Sequence, residues 1–195
     1  MCFIIPKVQE TIKMKEVRLH GRGGQGGVTS AELVAIAAIA EGKYAQAFPS
    51  FGPERRGAPV AAFIRVSDDQ IRTREKVYHP DIVVVLDPSL PALVNVAEGL
   101  REGGIVILNT EKSEEEIRKD FGLQCKLAMV DANTIAREEL GLPITNTTML
   151  GALLKATGIV SMEPLEHALE KRFGRIAPKN KAAMKRAFKE TVVTG

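Results

Sequence analysis

EVRLHGRGGQGGVTSAELVAIAAIAEG, residues 16–42, is the stretch whose reading decides the fold. Val17 and Leu19 alternate with polar neighbours, the period of a half-buried strand, and the alternation runs straight into five glycines within residues 21–27. The residues that follow are Ala-rich, carry Val28, Leu33, Val34, Ile36 and Ile39, and stop at Gly42, a favourable helix terminator. Strand, tight glycine turn and buried helix, in that order, open a doubly wound α/β sheet. Two helix starts compete: Thr29 with Glu32 would make a capping box, whereas a phosphate-binding turn starts the helix near Gln25. The earlier start is preferred.

Outward from this unit, YAQAF at 44–48 reads as a second strand, and PSFGPERRGAP at 49–59, with two glycines and three prolines, as a loop. VAAFIRV at 60–66 is a strand, and IRTREKV at 71–77 is its expected antiparallel partner across 67–70. DIVVVLD at 81–87 is a continuous β-branched run, the mark of a strand buried on both faces at the sheet centre. PALVNVAEGLREGG at 91–104 patterns as a short amphipathic helix, and GIVILNT at 104–110 and KLAMVDA at 126–132 as further buried strands. From Asn133 the strands are expected to stop, with helices near 133–140, 145–157, 163–173 and 179–190. The fold class is therefore α/β and Rossmann-like: a mostly parallel sheet with helices on both faces and a helical C-terminal tail. Residues 1–13 lack periodicity and read as an N-terminal extension, leaving 14–195 as a single domain.

Composition narrows the function. Of 195 residues, 45% are hydrophobic and 26% charged, with no apolar run near the roughly 20 residues a membrane span needs. The N-terminus does not pattern as a signal peptide, so the expected location is the cytoplasm. Cys2 and Cys125 are too few and too far apart for a zinc or four-Cys iron–sulfur site, so no metal-ligating residues are expected. Lys171, Arg172, Arg175, Lys179, Lys181, Lys185, Arg186 and Lys189 form a basic run, but the rest of the chain holds 19 cations against 24 acids. That balance, no Trp and only two Tyr argue against a nucleic-acid surface. The basic run reads as a solvated face or a docking surface for a partner.

Gly21, Gly23 and Gly26 satisfy G-x-G-x-x-G between a strand and a helix. Glycines allow positive φ and close backbone approach, while the first helix amides offer unpaired donors to a phosphate. The bland alternative is a sharp turn needing glycine for packing, and five glycines exceed what a turn requires. An NAD site would place an acid about 20 residues onward to bind ribose. Phe48-Pro49-Ser50 stands there instead. No Lys-Ser or Lys-Thr follows the glycines, which argues against a P-loop ATPase.

GRGGQGG at 21–27, SFGPERRG at 50–57, DIVVVLD and NTTMLGALLKATGI at 146–159 together resemble the gamma subunit of 2-oxoacid:ferredoxin oxidoreductases of the pyruvate synthase type. The similarity runs from about Met14 to the C-terminus. The resemblance implies a non-redox subunit that works with alpha, beta and delta subunits and with ferredoxin as electron acceptor. The assembly converts pyruvate, coenzyme A and oxidised ferredoxin to acetyl-CoA, CO2 and reduced ferredoxin. Thiamine diphosphate with Mg and the iron–sulfur clusters are implied in partner subunits, and coenzyme A is associated with the gamma-type domain. The isolated chain is expected to be inactive, with no catalytic residue of its own. Ala58 departs from the second glycine common after R-G in the family.

Coenzyme A is expected at Gly21, Gly23, Gly24, Gln25, Gly26 and Gly27, with Arg55 and Arg56 aimed at phosphate by their Gly/Pro-rich loop. Arg55 and Arg56 could equally be subunit contacts. Glu54 could orient one of these arginines, Gln25 could bond a ligand or a neighbour, and Asn146 reads as a helix cap. His20 lacks a paired carboxylate for acid–base work, and His79 and His167 are blander. Asp81 and Asp87 flank a buried strand and read as turn caps. Two alternatives remain open: a structural subunit whose loop docks on a neighbour, and a standalone NAD-dependent dehydrogenase.

Overall fold

The computed structural model of the protein describes residues 14–50 and 57–195. Among the described residues seven strands form one sheet: β1 (Lys15–Arg22), β2 (Tyr44–Pro49), β3 (Pro59–Ser67), β4 (Ile82–Val85), β5 (Ile105–Asn109), β6 (Lys126–Val130) and β7 (Val192–Thr194). Their spatial order is β2-β3-β1-β4-β5-β6-β7. β1, β4, β5 and β6 are parallel; β2, β3 and β7 enter antiparallel. Six helices accompany them: α1 (Gly27–Ala40), α2 (Glu114–Phe121), α3 (Ala132–Leu140), α4 (Asn146–Thr157), α5 (Met162–Phe173) and α6 (Ala177–Glu190).

The period of two along each strand sorts its side chains onto two faces. Val17 and Leu19 of β1, with Ile82, Val84, Ile105, Ile107, Ala128 and Val130, face a core closed by α1, α3, α4, α5 and α6. Their neighbours Val83, Val85, Val106, Leu108, Leu127 and Met129 face a smaller core under Leu90, Val96 and Ile117 of α2. Both faces are thus covered, unequally, as the α/β reading requires. Ser113 and Glu116 close a capping box on α2, so the acidic run 114–116 is a helix start.

Three expectations are corrected. IRTREKV at 71–77 is not a strand, because β3 is already paired on both edges, by β1 and β2. The segment instead crosses the second face, where Glu75 O accepts Arg65 Nη2 at 2.7 Å and Gln46 Nε2 reaches Ile71 O. Residues 91–104 form no amphipathic helix: only a short 3-10 turn, Leu90–Ala92, precedes successive turns that bury Val96 alone among their apolar side chains. Strands also resume after Asn133, since Val192–Thr194 returns antiparallel along β6. Exposed Val192 and Val193, three residues from the C-terminus, are too short a run to read as a strand without their β6 partner.

Candidate functional site

β1 leads through α1 to β2 and β3 on one side, and β4 leads to β5 on the other. The connections leaving their carboxyl ends therefore diverge, opening the crevice in which α/β sheets bind ligands. The glycine loop leaves β1 on one wall, and Asp87 and Ser89 leave β4 on the other.

Polar side chains staple the loop. Gln25 Oε1 accepts the Arg22 backbone N–H at 2.7 Å, and Gln25 Nε2 donates to Asp87 Oδ2 at 2.7 Å. Arg22 Nε also donates to Asp87 Oδ2 at 3.1 Å, while its Nη1 and Nη2 donate to Gly57 O and Ser89 Oγ. Burial raises the Asp87 pKa, but hydrogen bonds from Ser89 and Gln25 and the Arg22 charge outweigh it and hold the carboxyl below the usual aspartate range. Asp87 does cap a turn, through Ser89 N, and it additionally carries this cross-strand clamp. Neither Arg22 nor Asp87 was singled out for the site from sequence. A polar triplet separated by 60 residues has no local signal.

The backbone is fixed as well. Gly23 N donates to Ala58 O at 3.0 Å, and Gly57 N to Gly23 O at 3.3 Å. The residue after Arg56 is therefore bonded to the glycine loop; Arg55 and Arg56 themselves, with Glu54, lie outside the described residues. Helix α1 starts at Gly27 behind Gly26, whose φ of 80° is left-handed. That is close to the earlier of the two expected starts, and Thr29 lies inside the helix rather than capping it. Ser30 N is the first helix amide bonded to the turn, to Gly26 O. No side chain among the described residues caps α1, and the amides of Gly27, Val28 and Thr29 face the crevice end without intrahelical acceptors.

Gly26 is held open by a neighbour rather than by a ligand: a Cβ there would lie 2.5 Å from Asn146 Nδ2. Asn146 is the first residue of α4, buried, and its Oδ1 accepts the Thr147 amide, while Thr145 at the N-cap directs its hydroxyl to Leu86 O. Two helix N-termini, α1 and α4, thus converge beside the ends of β1 and β4. Gly24, at φ 94°, is exposed, and its missing side chain would point into open space. Gly21 packs on Leu86 and Gly27 lies near the same side chain. With Arg22 engaged inside the loop, what the site offers a ligand is backbone amides and two helix dipoles, a combination suited to a phosphate group.

The remaining candidates separate from it. His79 and His167 are exposed and hydrogen-bond to backbone carbonyls, of Gly99 and Glu163. Asp81 accepts the Glu16 amide and Arg101 at the opposite end of the sheet. Cys125 is half-buried just before β6, and burial pushes its thiol pKa up. Among the described residues no group of His, Cys, Asp and Glu could hold a metal, and no helix is long and apolar enough to cross a membrane.

Comparison with known proteins sharpens this picture. Residues 16–190 match the family described as pyruvate ferredoxin/flavodoxin oxidoreductase. A Thermococcus litoralis protein, the pyruvate/ketoisovalerate oxidoreductases common subunit gamma, is 58% identical, the alignment covering 92% of this chain and 98% of that one. The crystal structure of the pyruvate oxidoreductase subunit PORC from Thermotoga maritima superposes with a TM-score of 0.84 at 43% identity, covering 94% and 99% of the two chains. A 2-oxoglutarate:ferredoxin oxidoreductase from Magnetococcus marinus, solved with 2-oxoglutarate, coenzyme A and succinyl-CoA bound, shares the fold at TM-score 0.72 and 19% identity. That likeness covers 91% of this chain and 31% of the larger one.

Proposed function

The chain belongs to the pyruvate ferredoxin/flavodoxin oxidoreductase family as a gamma subunit of a 2-oxoacid:ferredoxin oxidoreductase, and from that premise we propose that its glycine loop holds phosphate groups of coenzyme A. The single observation that carries this reading is the start of α1, where a glycine N-cap and the lack of a side-chain cap among the described residues leave the amides of Gly27, Val28 and Thr29 to an external acceptor. The chain's own residues do binding work only. Gly21, Gly23, Gly24, Gly26 and Gly27 keep the backbone accessible, and Gln25 acts indirectly by fixing the loop to Asp87. Arg55 and Arg56 are proposed as phosphate ligands alongside them.

In the full reading, the chain contributes coenzyme A binding and assembly to a complex that turns pyruvate, coenzyme A and oxidised ferredoxin into acetyl-CoA, CO2 and reduced ferredoxin. Alpha, beta and delta subunits would carry thiamine diphosphate, Mg and the iron–sulfur clusters, in the cytoplasm. Residues 14–195 act as one domain, and the separated chain is inactive. Iron bound stoichiometrically to the purified chain would overturn that division of labour.

A second reading has its own observation. Val28, Ile36 and Ile39 are 38%, 49% and 57% exposed and share one face of α1, interrupted by exposed Glu32, that begins at the loop itself. A neighbouring subunit seated there would press on the glycine loop without any nucleotide. The test is apparent coenzyme A affinity of the reconstituted complex carrying Gly24→Ala, against Gly42→Ala. Both glycines have left-handed φ and open space at Cβ, but Gly42 lies at the far end of α1. A loss with Gly24→Ala alone supports ligand binding; equal, unchanged affinities support docking.

A further inference from the structure

Asn146, the first residue of α4, is 6% exposed. Its Oδ1 accepts the Thr147 amide at 2.8 Å, which fixes the orientation of the side-chain amide, because only the oxygen accepts an N–H. Nδ2 is thereby turned the other way, against Gly26, where a Cβ would stand 2.5 Å from it. Ser30 Oγ donates to Asn146 O at 3.3 Å, so α1 and α4 are tied together at this point. Nδ2 itself has no hydrogen-bond partner among the described residues. The unpaired side-chain atoms sealed from solvent belong to Arg18, His20, Arg65, Thr148 and Thr194, and Asn146 Nδ2 is not one of them. It therefore keeps a reachable tip on an otherwise buried residue, beside half-buried Gly26 and Gly27.

A side-chain donor buried in all but its tip is costly to hold without an acceptor. The surroundings select the charge of that acceptor. α1 and α4 both begin here, their N-cap residues Gly26 and Thr145 make no side-chain cap, and neither helix carries an acid in its first turn, where acids are favoured. Two positive helix ends and unbonded backbone amides thus share their space with one unpaired side-chain N–H donor. Gln25, the loop's own side-chain amide, has both ends bonded inside the fold and offers nothing comparable. We propose that Asn146 is a ligand contact: its Nδ2 donates to an oxygen of the phosphate group held at the start of α1, so that two helix starts grip one anion. The inference rests on the phosphate reading of the glycine loop and adds to it a residue from outside the loop. It also gives position 26 a second reason to be glycine, since any Cβ there would take the space of the donor.

The test is an NMR titration of the full chain with inorganic pyrophosphate at pH 7 and fixed ionic strength. The backbone amides of Gly27, Val28 and Thr29 are followed together with the Asn146 side-chain NH2. A saturable shift of the NH2 signal, with the same midpoint as the backbone amides, is expected. Asn146→Ala removes Nδ2 and should weaken pyrophosphate binding at least about tenfold, the value of a hydrogen bond to a charged group. Asn146→Asp keeps the acceptor for Thr147 and the side-chain shape but puts a negative oxygen where the donor was, and should weaken binding further. Backbone amides that respond while the NH2 signal stays still, or either variant binding as tightly as wild type, overturn the contact and leave the phosphate reading standing. Backbone amides that do not respond overturn that reading and the contact with it. The wild-type NH2 signal decides the matter where a variant does not fold.

Discussion

Asp87→Asn removes the charge at the centre of the clamp that shapes the glycine loop while keeping its size. In the wild type, Oδ2 accepts from Arg22 Nε at 3.1 Å and Gln25 Nε2 at 2.7 Å, with the Asp87 and Arg22 side chains 13% and 28% exposed. Each charge-assisted contact is worth about 1.5–3 kcal/mol, but the two share one oxygen and asparagine retains one acceptor, so they do not add. We expect a net loss of about 2 kcal/mol, roughly thirty-fold in the unfolding constant. The sign with pH follows from the lowered Asp87 pKa. Its stabilisation is complete above the unfolded value of about 3.9 and is lost as pH falls through the still lower folded value. Denaturant titrations should therefore show a constant gap between wild type and variant from about pH 5 to 8 that closes in acid. In the reconstituted complex the relaxed loop should weaken apparent coenzyme A affinity and leave that for the 2-oxoacid unchanged. A gap below about 0.5 kcal/mol, or one that persists undiminished in acid, would refute the clamp.

Gly26→Ala combines a left-handed backbone with a methyl 2.5 Å from Asn146 Nδ2 and should destabilise by about 2 kcal/mol. Adding Asn146→Ala should restore part of that in thermal unfolding if the clash contributes, and none if backbone strain acts alone. Gly151→Ala puts a methyl 2.0 Å from Met184 O and 2.9 Å from Phe188 N, forcing α6 away from α4. The overpacking cost of about 1–3 kcal/mol outweighs the helix-propensity gain of up to about 1 kcal/mol, so its melting temperature should fall. His20 has a folded pKa of about 4 against an unfolded value near 6.5, so the unfolded chain takes the proton first. Wild-type stability should consequently drop by up to about 3 kcal/mol relative to His20→Gln as pH falls from 6.5 to 4, then level off; parallel curves would contradict a neutral buried ring.

The elements legible in the sequence are those whose apolar pattern is set by burial, either on one face or, in a continuous run, on both. Val17 and Leu19, the runs 82–85 and 105–109, and the four late helices all follow that rule. Where a segment's role is to cover polar groups, the period misleads. Residues 71–77 alternate like a strand, yet Glu75 O accepts Arg65 and Val77 is their one buried side chain. Residues 91–104 space their apolar side chains like a helix, but Val96 O and Glu98 O are turned inward to satisfy Arg18, and a regular helix would have consumed those carbonyls itself. β7 pairs only with β6, from Leu127↔Thr194 to Met129↔Val192, far back in the sequence.

The site divides in the same way. The glycines are readable because backbone conformation leaves a mark on residue type: Gly24 and Gly26 both sit at positive φ. The side chains around them are not, since Gln25 has an available amide in the sequence and none to spare in the fold, both ends being bonded to Arg22 and Asp87. Arg22 is likewise committed, to Asp87, Gly57 and Ser89. With those groups engaged internally, the described loop can offer an anion little beyond backbone N–H groups and the field of two helix N-termini. Such a surface recognises a phosphate but cannot distinguish one phosphorylated molecule from another. On the proposed coenzyme A reading, selectivity would come from side chains of the 50–57 loop, whose end at Gly57 is tied to Gly23, or from a subunit seated on the exposed apolar residues of α1. That dependence accounts for a gamma subunit that carries a nucleotide-type loop without the acid a self-sufficient dinucleotide site requires.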